Sequence, residues 1–354
     1  MSALTSKKIY SGIDLFKLIA SLLIVLLHAT ETQDWIACEV RYVLTRFAVP
    51  FFFMVSGFFF YKGLNRAENK KVYFWKYEKN LAKLYLIWAL LIYAPFELAV
   101  YFTPNTDTGV IQFALVILRR FFVIGPGPYW YLISLMLAAG VIYFLHQKGK
   151  SILLWVLIAL GFFVQIAFSN FHGLLSQVPV FNYLFRMIEF VYSNEFNFFM
   201  YGIPFMGLGY MVSKTNCSVS IKVSTFVFVA ATFLRIVEYH LPVWFPSDFW
   251  NDNHIMLGFI MQAVAFFMIA KNLNIKVSVS VSLTLRQLSS FIYFSHVIIM
   301  YAVIDGFLKQ YAVDLVYEPW FIVPKMVLTL IPCVALFTVI KKINNRHLNI
   351  LING

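Results

Sequence analysis

The chain has little of what soluble domains and disulfide-rich proteins depend on. Only 12% of its 354 residues are charged, and its 3 cysteines fall in three separate segments. So little charge argues against a soluble domain, and isolated cysteines argue against a disulfide framework or a cysteine-based metal site. We find no Walker A motif, no GxSxG elbow and no dinucleotide-binding GxGxxG motif. We therefore expect no bound metal and none of the enzyme classes that these motifs mark.

Hydrophobic residues dominate what is present. They make up 61% of the chain, and aromatic residues alone make up 19%. This composition predicts an all-α, polytopic integral membrane protein with a single membrane domain over residues 1–354. The formal net charge of +12 comes largely from basic residues grouped between apolar runs. We assign it to membrane orientation and contact with the lipid bilayer, and we expect no nucleic-acid partner.

About ten apolar runs are long enough to cross a bilayer as helices. When the N-terminus is placed in the cytoplasm, the loops on that side carry most of the basic residues, which predicts that both termini are cytoplasmic. We expect a plasma membrane, most simply the inner membrane of a bacterium, and the sequence leaves a homo-oligomer open. The predicted spans are 13–30, 43–61, 81–102, 129–146, 151–168, 196–213, 223–240, 254–271, 289–304 and 319–340.

The first run, GIDLFKLIASLLIVLLHA at residues 12–29, carries a polar stripe. Lys17 and His28 are eleven residues apart, which corresponds to three helical turns plus roughly 20°, so both side chains lie on one face with Ser21. The two residues are about 16 Å apart along the axis. Because ionisable groups in a bilayer cost about 2.5 to 3.5 kcal/mol each, this stripe predicts a cavity around it.

The second run, RFAVPFFFMVSGFFF at residues 46–60, combines a proline with a pair of small residues. Pro50 is expected to kink the helix. Ser56 and Gly57 permit the close approach of another helix or of a ligand. Arg46 can extend to the outer interface or reach inward beside His28, and the sequence leaves both readings open.

Other candidate residues lie in loops and at span ends. Residues 62–83 hold seven basic side chains, which either contact anionic lipid or dock a soluble polyanion, with Lys79 and Lys83 on one helical face. Trp130 and Tyr131 belong to an aromatic belt or form a stacking surface for a sugar. His296 is either a structural link between helices or a second residue of the cavity, and its depth requires a hydrogen-bond partner.

These motifs together resemble membrane-bound acyltransferase family 3. Its hallmark is a basic residue followed, after ten residues, by a histidine, here Lys17 and His28. Residues 46–60 resemble the second helix of the family, and the similarity extends over nearly the whole chain. The chain looks closest to the branch that includes the enterobacterial common antigen acetyltransferase and the membrane part of the vancomycin-resistance serine racemase. It departs from the pattern at Lys17, where many relatives have arginine, and at Phe196, where an arginine is expected.

The resemblance implies transfer of an acyl group, usually acetyl from acetyl-CoA, to a hydroxyl or amine of an extracytoplasmic glycan or envelope precursor. It implies that His28 is the general base, since neutral imidazole suits the deprotonation of a hydroxyl. Glu31, one turn further, would orient it. The remaining implied sites are Lys17, Lys79, Lys83 and Ser56 for the CoA donor, Arg46, Ser56 or Tyr131 for the oxyanion, and Glu31, Trp130, Tyr131, Asn197 and His296 for the acceptor.

Two other functions remain open at this stage. A transporter or flippase could use Lys17, His28, Arg46 and His296 as a proton-relaying path, although no span carries a pair of carboxylates and Glu97 is the one acid that looks buried. The second function is that of a module for amino-acid uptake or sensing without acyl transfer.

Overall fold

The structure is a computed structural model that describes residues 10–30, 35–95, 110–169, 171–192, 198–244, 257–307, 315, 318–345 and 348–352. Within these ranges the chain forms helices and no strand, which confirms the predicted all-α class. The α-helices are α1 Ser11–Ala29, α2 Trp35–Glu39, α3 Ala48–Arg66, α4 Lys70–Tyr85, α5 Val110–Arg119, α6 Trp130–Gln147, α7 Ser151–Ser169, α8 His172–Leu175, α9 Pro179–Tyr192, α10 Gly207–Lys214, α11 Ile221–Trp244, α12 Leu257–Asn272, α13 Val279–Val297 and α14 Ile322–Ile343.

Several long helices change to π-helical hydrogen bonding along their length. In this register each N–H bonds to the carbonyl five residues earlier, so the side chains rotate out of the phase of an α-helix. The π-helical segments are Val40–Thr45, Leu86–Tyr93, Arg120–Ile124, Phe198–Met206 and Ile298–Asp305.

Membrane character is confirmed by length and composition. Five helices in the described ranges are long and apolar enough to cross a bilayer: Ser11–Ala29, Trp35–Arg66, Gly127–Gln147, Ser151–Phe168 and Pro319–Ile343. The ten-span topology and the cytoplasmic termini stay predictions.

Helix α1 lies inside the bundle, where it packs along α13 and also contacts α3, α12 and α14. Its buried positions include Gly12, Ala20 and Ser21, whose small side chains allow neighbouring helices to approach closely. A Cβ atom on Gly12 would collide with backbone carbonyls of Ala270 and Leu273 at the end of α12. The stripe that carries Lys17 and His28 therefore faces protein on several sides.

Helix α3 is held against α10 by two glycines. A Cβ atom on Gly57 would collide with the backbone of Met206, and one on Gly209 would collide with the backbone of Met54. This explains Gly57 as a packing residue. Pro50 lies in the first turn of α3, which follows the π-helical segment Val40–Thr45 within the apolar stretch Trp35–Arg66. The kink at Pro50 stays a prediction.

Contacts at each end of the bundle join segments that the alternating topology places on the same side of the membrane. At the predicted cytoplasmic end, Ser11 Oγ donates to the carbonyl of Ile275, and Lys62 Nζ lies 5.2 Å from the centre of the Tyr10 ring. At the opposite end, the His240 imidazole approaches the carboxylate of Glu39.

Candidate active site

A cavity of about 220 Å³ opens beside the Lys17 end of α1. It lies between α1, α3, α4, α6 and α13, and most of its wall is aromatic or aliphatic. Such a pocket, apolar with a few polar groups, suits a long thin ligand that carries a small number of polar atoms. Its polar lining residues are Lys17, Ser56, Tyr73, Tyr77, Tyr131, Ser290 and Tyr293.

Two of these residues, Ser56 and Tyr131, are linked to each other. Ser56 Oγ and Tyr131 Oη lie 3.0 Å apart, so the second predicted helix and the PYWYL segment meet at the cavity wall. The same hydroxyls are candidates to contact a ligand, because each oxygen retains further hydrogen-bonding capacity.

The segment before Tyr131 braces α13 with two crossed hydrogen bonds. Tyr129 Oη donates to the carbonyl of Phe294 at 2.7 Å, and Tyr293 Oη donates to the carbonyl of Pro128 at 3.1 Å. The sharp turn that allows this has Gly125 at φ 87°. An L side chain rarely adopts that backbone conformation, so the glycine is a requirement of the turn.

Lys17 lies beside an ion pair that already has its own charge balance. Arg286 donates to both carboxylate oxygens of Asp14 at 2.9 Å, and Ser282 Oγ donates to the same carboxylate at 2.5 Å. Since Asp14 is 1% exposed and neutralised by Arg286, the ammonium of Lys17 is the charge that the cavity offers to a ligand. A cation of this kind binds phosphate as a point charge.

Lys79 and Lys83 lie on the exposed face of α4, whereas Tyr73 and Tyr77 on another face line the cavity. The structure therefore does not bring the two lysines into the cavity with Lys17. The sequence did not identify the two tyrosines as cavity residues, because it does not show which face of the basic helix packs against the bundle. Between these faces, burial raises the pKa of the Glu78 carboxyl to about 7.

A second polar group surrounds His28 at the other end of α1. The rings of His28 and His296 have centroids 5.2 Å apart, and His28 Nδ1 lies 3.4 Å from Tyr301 Oη. His28 is half-buried, and no hydrogen bond to its Nε2 is found in the described part of the chain. One nitrogen of this imidazole therefore lies beside Tyr301, and the other has no hydrogen bond to the residues that the structure describes.

His296 is fully buried, and a backbone carbonyl determines which of its ring nitrogens carries the proton. Its Nδ1 lies 3.0 Å from the carbonyl of Ile292, which can only accept, so Nδ1 carries the proton. Its Nε2 is buried with no hydrogen-bond partner among the described residues. The structure thus makes His296 both a link within its helix and a free acceptor beside His28.

Tyr301 was not found by sequence reasoning, and the π-helical segment Ile298–Asp305 explains why. In a continuous α-helix, residues five positions apart point about 140° away from each other. The π register changes this phase, and both His296 and Tyr301 reach the ring of His28, with centroids 5.2 and 6.3 Å away. Nothing in the apolar sequence IIMYAVID marks the change.

A buried ion pair lies beyond Tyr301. Lys325 Nζ on α14 is 2.9 Å from the carboxylate of Asp305, and the two side chains are 1% and 2% exposed. The same ammonium lies 5.9 Å from the centre of the Tyr301 ring. The pair therefore ties the π-helical segment to α14 directly behind the His28 group.

Arg41 contacts the C-terminal end of α1. Its Nη1 donates to the carbonyl of Thr30 at 3.3 Å. Arg46 instead stacks over the ring of Tyr42 at 4.8 Å, on the side where Arg235 Nε donates to the carbonyl of Tyr42. Arg46 therefore belongs to a separate polar cluster with α11.

The other predicted residues have varied positions. Trp130 packs edge-on against Tyr201, with ring centroids 5.6 Å apart, and it does not line the cavity described above. Glu31 and Asn197 lie outside the described residues. Among the residues that the structure describes, no group of three or more His, Cys, Asp or Glu side chains is placed to hold a metal ion.

The cavity and the His28 group are separated by aromatic side chains. Tyr131 and Tyr293 have ring centroids 5.5 Å apart, and those of Tyr293 and His296 are 6.3 Å apart. Lys17 lines the cavity, whereas His28, which the structure also describes, does not. Tyr293, whose ring lies near those of both Tyr131 and His296, is therefore positioned between the cavity wall and the His28 group.

Comparisons with known proteins agree with this architecture. The chain is 27% identical to an amino-acid racemase of Enterococcus faecalis over 303 residues, and 24% identical to a serine/alanine racemase of Enterococcus gallinarum over 266 residues. It spans only 39% and 36% of the lengths of those two relatives, while 78% and 73% of the chain is matched. No solved structure matches. The family model described as an acyltransferase domain matches residues 10–338, so the chain belongs to acyltransferase family 3, a family of membrane acyltransferases.

Proposed function

We propose that the protein transfers an acyl group, most simply acetyl, from cytoplasmic acyl-CoA to a hydroxyl of an extracytoplasmic glycan or envelope precursor. His28 is the general base. The observation that carries the proposal is the setting of this imidazole: Nδ1 lies beside Tyr301, Nε2 has no hydrogen bond among the described residues, and the ring of His296 is 5.2 Å away, centroid to centroid.

The donor uses the cavity at the Lys17 end. Lys17 binds a phosphate at the mouth, and the thin pantetheine arm lies along the aromatic walls past Ser56 and Tyr131. Lys79 and Lys83 remain on the exposed face of α4, where they attract the phosphorylated head from solution. No metal is needed for this scheme.

The reaction proceeds by direct attack of the acceptor. As the acceptor oxygen bonds to the thioester carbon, its proton passes to His28 Nε2, and the carbonyl oxygen becomes an oxyanion. Collapse of this intermediate breaks the carbon–sulfur bond, and the CoA sulfur leaves with the proton from His28. His296 Nε2 accepts a hydrogen bond from a second, neighbouring hydroxyl of the acceptor and so holds the acceptor beside the base. A positioned base of this kind contributes about 10² to 10⁴ in rate.

The test uses purified protein in liposomes, with radiolabelled acetyl-CoA supplied on the cytoplasmic face and an envelope glycan extract on the other. We expect label in the acceptor and free CoA in wild type, loss of both in His28→Ala, and retention in His172→Ala. His172 is a suitable control because it lies on α8 against Phe185, away from His28. Label transfer that survives His28→Ala overturns the assignment of the base.

A second candidate function is passage of an amino acid across the membrane, because the relatives are named as racemases of amino acids and this chain is an apolar helical bundle. Counter-flow of radiolabelled serine into the same liposomes without CoA supports it. Label transfer from acetyl-CoA with no serine counter-flow supports the acyltransferase.

A further inference from the structure

Tyr301 is placed to decide which nitrogen of His28 carries the proton. Its hydroxyl oxygen lies 3.4 Å from His28 Nδ1, and the two rings meet edge to face at 88° with centroids 6.3 Å apart. Catalytic hydrogen bonds are often long before substrates bind, so this distance is compatible with a contact that tightens in the complex.

We propose that Tyr301 is a positioning residue, which accepts a hydrogen bond from His28 Nδ1–H and thereby leaves the lone pair on Nε2. This inference rests on the proposed function, because a base that removes the acceptor's proton through Nε2 needs that nitrogen unprotonated. In the opposite arrangement the tyrosine donates to Nδ1, and Nε2 then carries a proton and cannot act as a base. The direction of this hydrogen bond therefore distinguishes an active from an inactive tautomer, and we assign the direction in which Tyr301 accepts.

The position of Tyr301 is in turn fixed by its own segment. The residue lies in the π-helical turn Ile298–Asp305, and the buried pair of Asp305 with Lys325 joins that turn to α14. The Lys325 ammonium faces the Tyr301 ring at 5.9 Å, and a cation over an aromatic face stabilises that orientation. The position of the proton on His28 therefore depends on two elements other than α1, the π-helical segment Ile298–Asp305 and α14.

The proton position can be measured without an acyl-transfer assay. We would label the protein with ¹⁵N-histidine, assign the His28 signal by its loss in His28→Gln, and record ring ¹⁵N shifts above about pH 8, where an ordinary histidine is neutral. Wild type should show a protonated Nδ1 and an unprotonated Nε2 at His28. Tyr301→Phe keeps the ring and removes the oxygen, so it should move the proton of His28 toward Nε2 or give a mixture of tautomers.

Tyr129→Phe is the matched control. It also removes a buried tyrosine hydroxyl bonded to a carbonyl, that of Phe294, but this hydroxyl bonds to the backbone of α13 rather than to His28. The tautomer of His28 should be unchanged in Tyr129→Phe. In acyl transfer, Tyr301→Phe should lower kcat by about tenfold to a hundredfold, within the full contribution of a base, and leave the KM for acetyl-CoA nearly unchanged.

The outcomes separate the two claims. If Tyr301→Phe leaves the His28 tautomer as in wild type, or if wild-type Nε2 is protonated, the positioning inference is wrong whatever the activity. If wild type transfers no acyl group while its tautomer responds to Tyr301→Phe, the proposed function is wrong and the contact stands.

Discussion

His28 on α1 and His296 on α13 stand with ring centroids 5.2 Å apart and their planes at 47°. His296 has its proton on Nδ1, which faces the carbonyl of Ile292, so its Nε2 is an acceptor, and it has no hydrogen-bond partner among the described residues. In the proposed mechanism the two imidazoles act on one acceptor molecule: His28 removes the proton of the attacking hydroxyl, and His296 accepts a hydrogen bond from a neighbouring hydroxyl.

The first prediction separates these two roles. His28→Ala should lower kcat for acyl transfer by about 10² to 10⁴ because the base is lost. His296→Asn, which removes the imidazole acceptor, should mainly raise the KM for the acceptor. Steady-state kinetics with each substrate varied in turn checks this. Equal losses of kcat in both variants would contradict the division of roles.

The second prediction concerns the charge at the cavity. Lys17→Met should weaken CoA binding by about tenfold to a hundredfold, because a hydrogen bond to a charged group contributes about 1.5 to 3 kcal/mol. Lys341→Met is the control, since Lys341 lies on α14 and donates to Thr284 outside the cavity. Calorimetric titration of CoA into protein in nanodiscs measures both. A similar loss in the control would mean that general charge, rather than Lys17, holds the donor.

The third prediction follows from Glu78, whose pKa burial raises from 4.5 to about 7. Between these values the folded protein binds more protons than the unfolded chain, so the free energy of unfolding should fall as pH rises from about 4.5 to about 7. Below this window the carboxyl is protonated in both states, so the free-energy cost of burying a charged carboxylate is absent. Glu78→Gln should flatten the slope, as measured by thermal unfolding at a series of pH values in detergent. An unchanged slope would show that other groups cause the pH dependence.

The fourth prediction tests the contact between α3 and α10. Gly57→Ala should lower the free energy of unfolding by about 1 to 3 kcal/mol, because the new methyl group meets the Met206 backbone, which cannot move aside easily. Gly140→Ala is the control, since a Cβ there has no heavy atom within 4 Å. It should leave stability unchanged or raise it by up to about 1 kcal/mol. Destabilisation by both substitutions would rule out the backbone contact as the cause.

The fifth prediction concerns the buried Lys325–Asp305 pair. Lys325→Met should destabilise the fold by about 3 to 5 kcal/mol, because it leaves the Asp305 carboxylate buried without its cation. The double variant Lys325→Met with Asp305→Leu should regain most of that loss, since no charge remains to be desolvated. Denaturant unfolding of the two variants and wild type decides this. A double variant as unstable as the single one would show that the pair contributes through packing rather than charge.

Some of the site could be predicted from local sequence alone. The eleven-residue spacing of Lys17 and His28 follows from helix geometry, and α1 does form over Ser11–Ala29. Ser56 and Tyr131, chosen from separate motifs, both line the cavity and are hydrogen-bonded to each other. The resemblance to acyltransferase family 3 is confirmed over residues 10–338.

Other features depended on contacts between distant segments. A basic helix predicts attraction of anions but not which of its faces meets the cavity, and α4 turns Tyr73 and Tyr77 inward with Lys79 and Lys83 outward. The sequence did not decide whether the Arg46 side chain extends to the outer interface or reaches inward beside His28, and the structure places it over the ring of Tyr42.

The sequence by itself determined that this chain is a helical membrane protein, because continuous apolar runs of about 20 residues cross a bilayer as helices, which satisfy their own backbone hydrogen bonds in lipid. It also determined the stripe on α1, since a helix repeats with a fixed period. Only the tertiary structure decided that Tyr301 joins His28 and His296, because a π-helical register shifts the phase of side chains without any mark in an apolar sequence. Spacing along one helix is a local property, whereas the partner of a buried imidazole depends on how helices that are remote in sequence pack together.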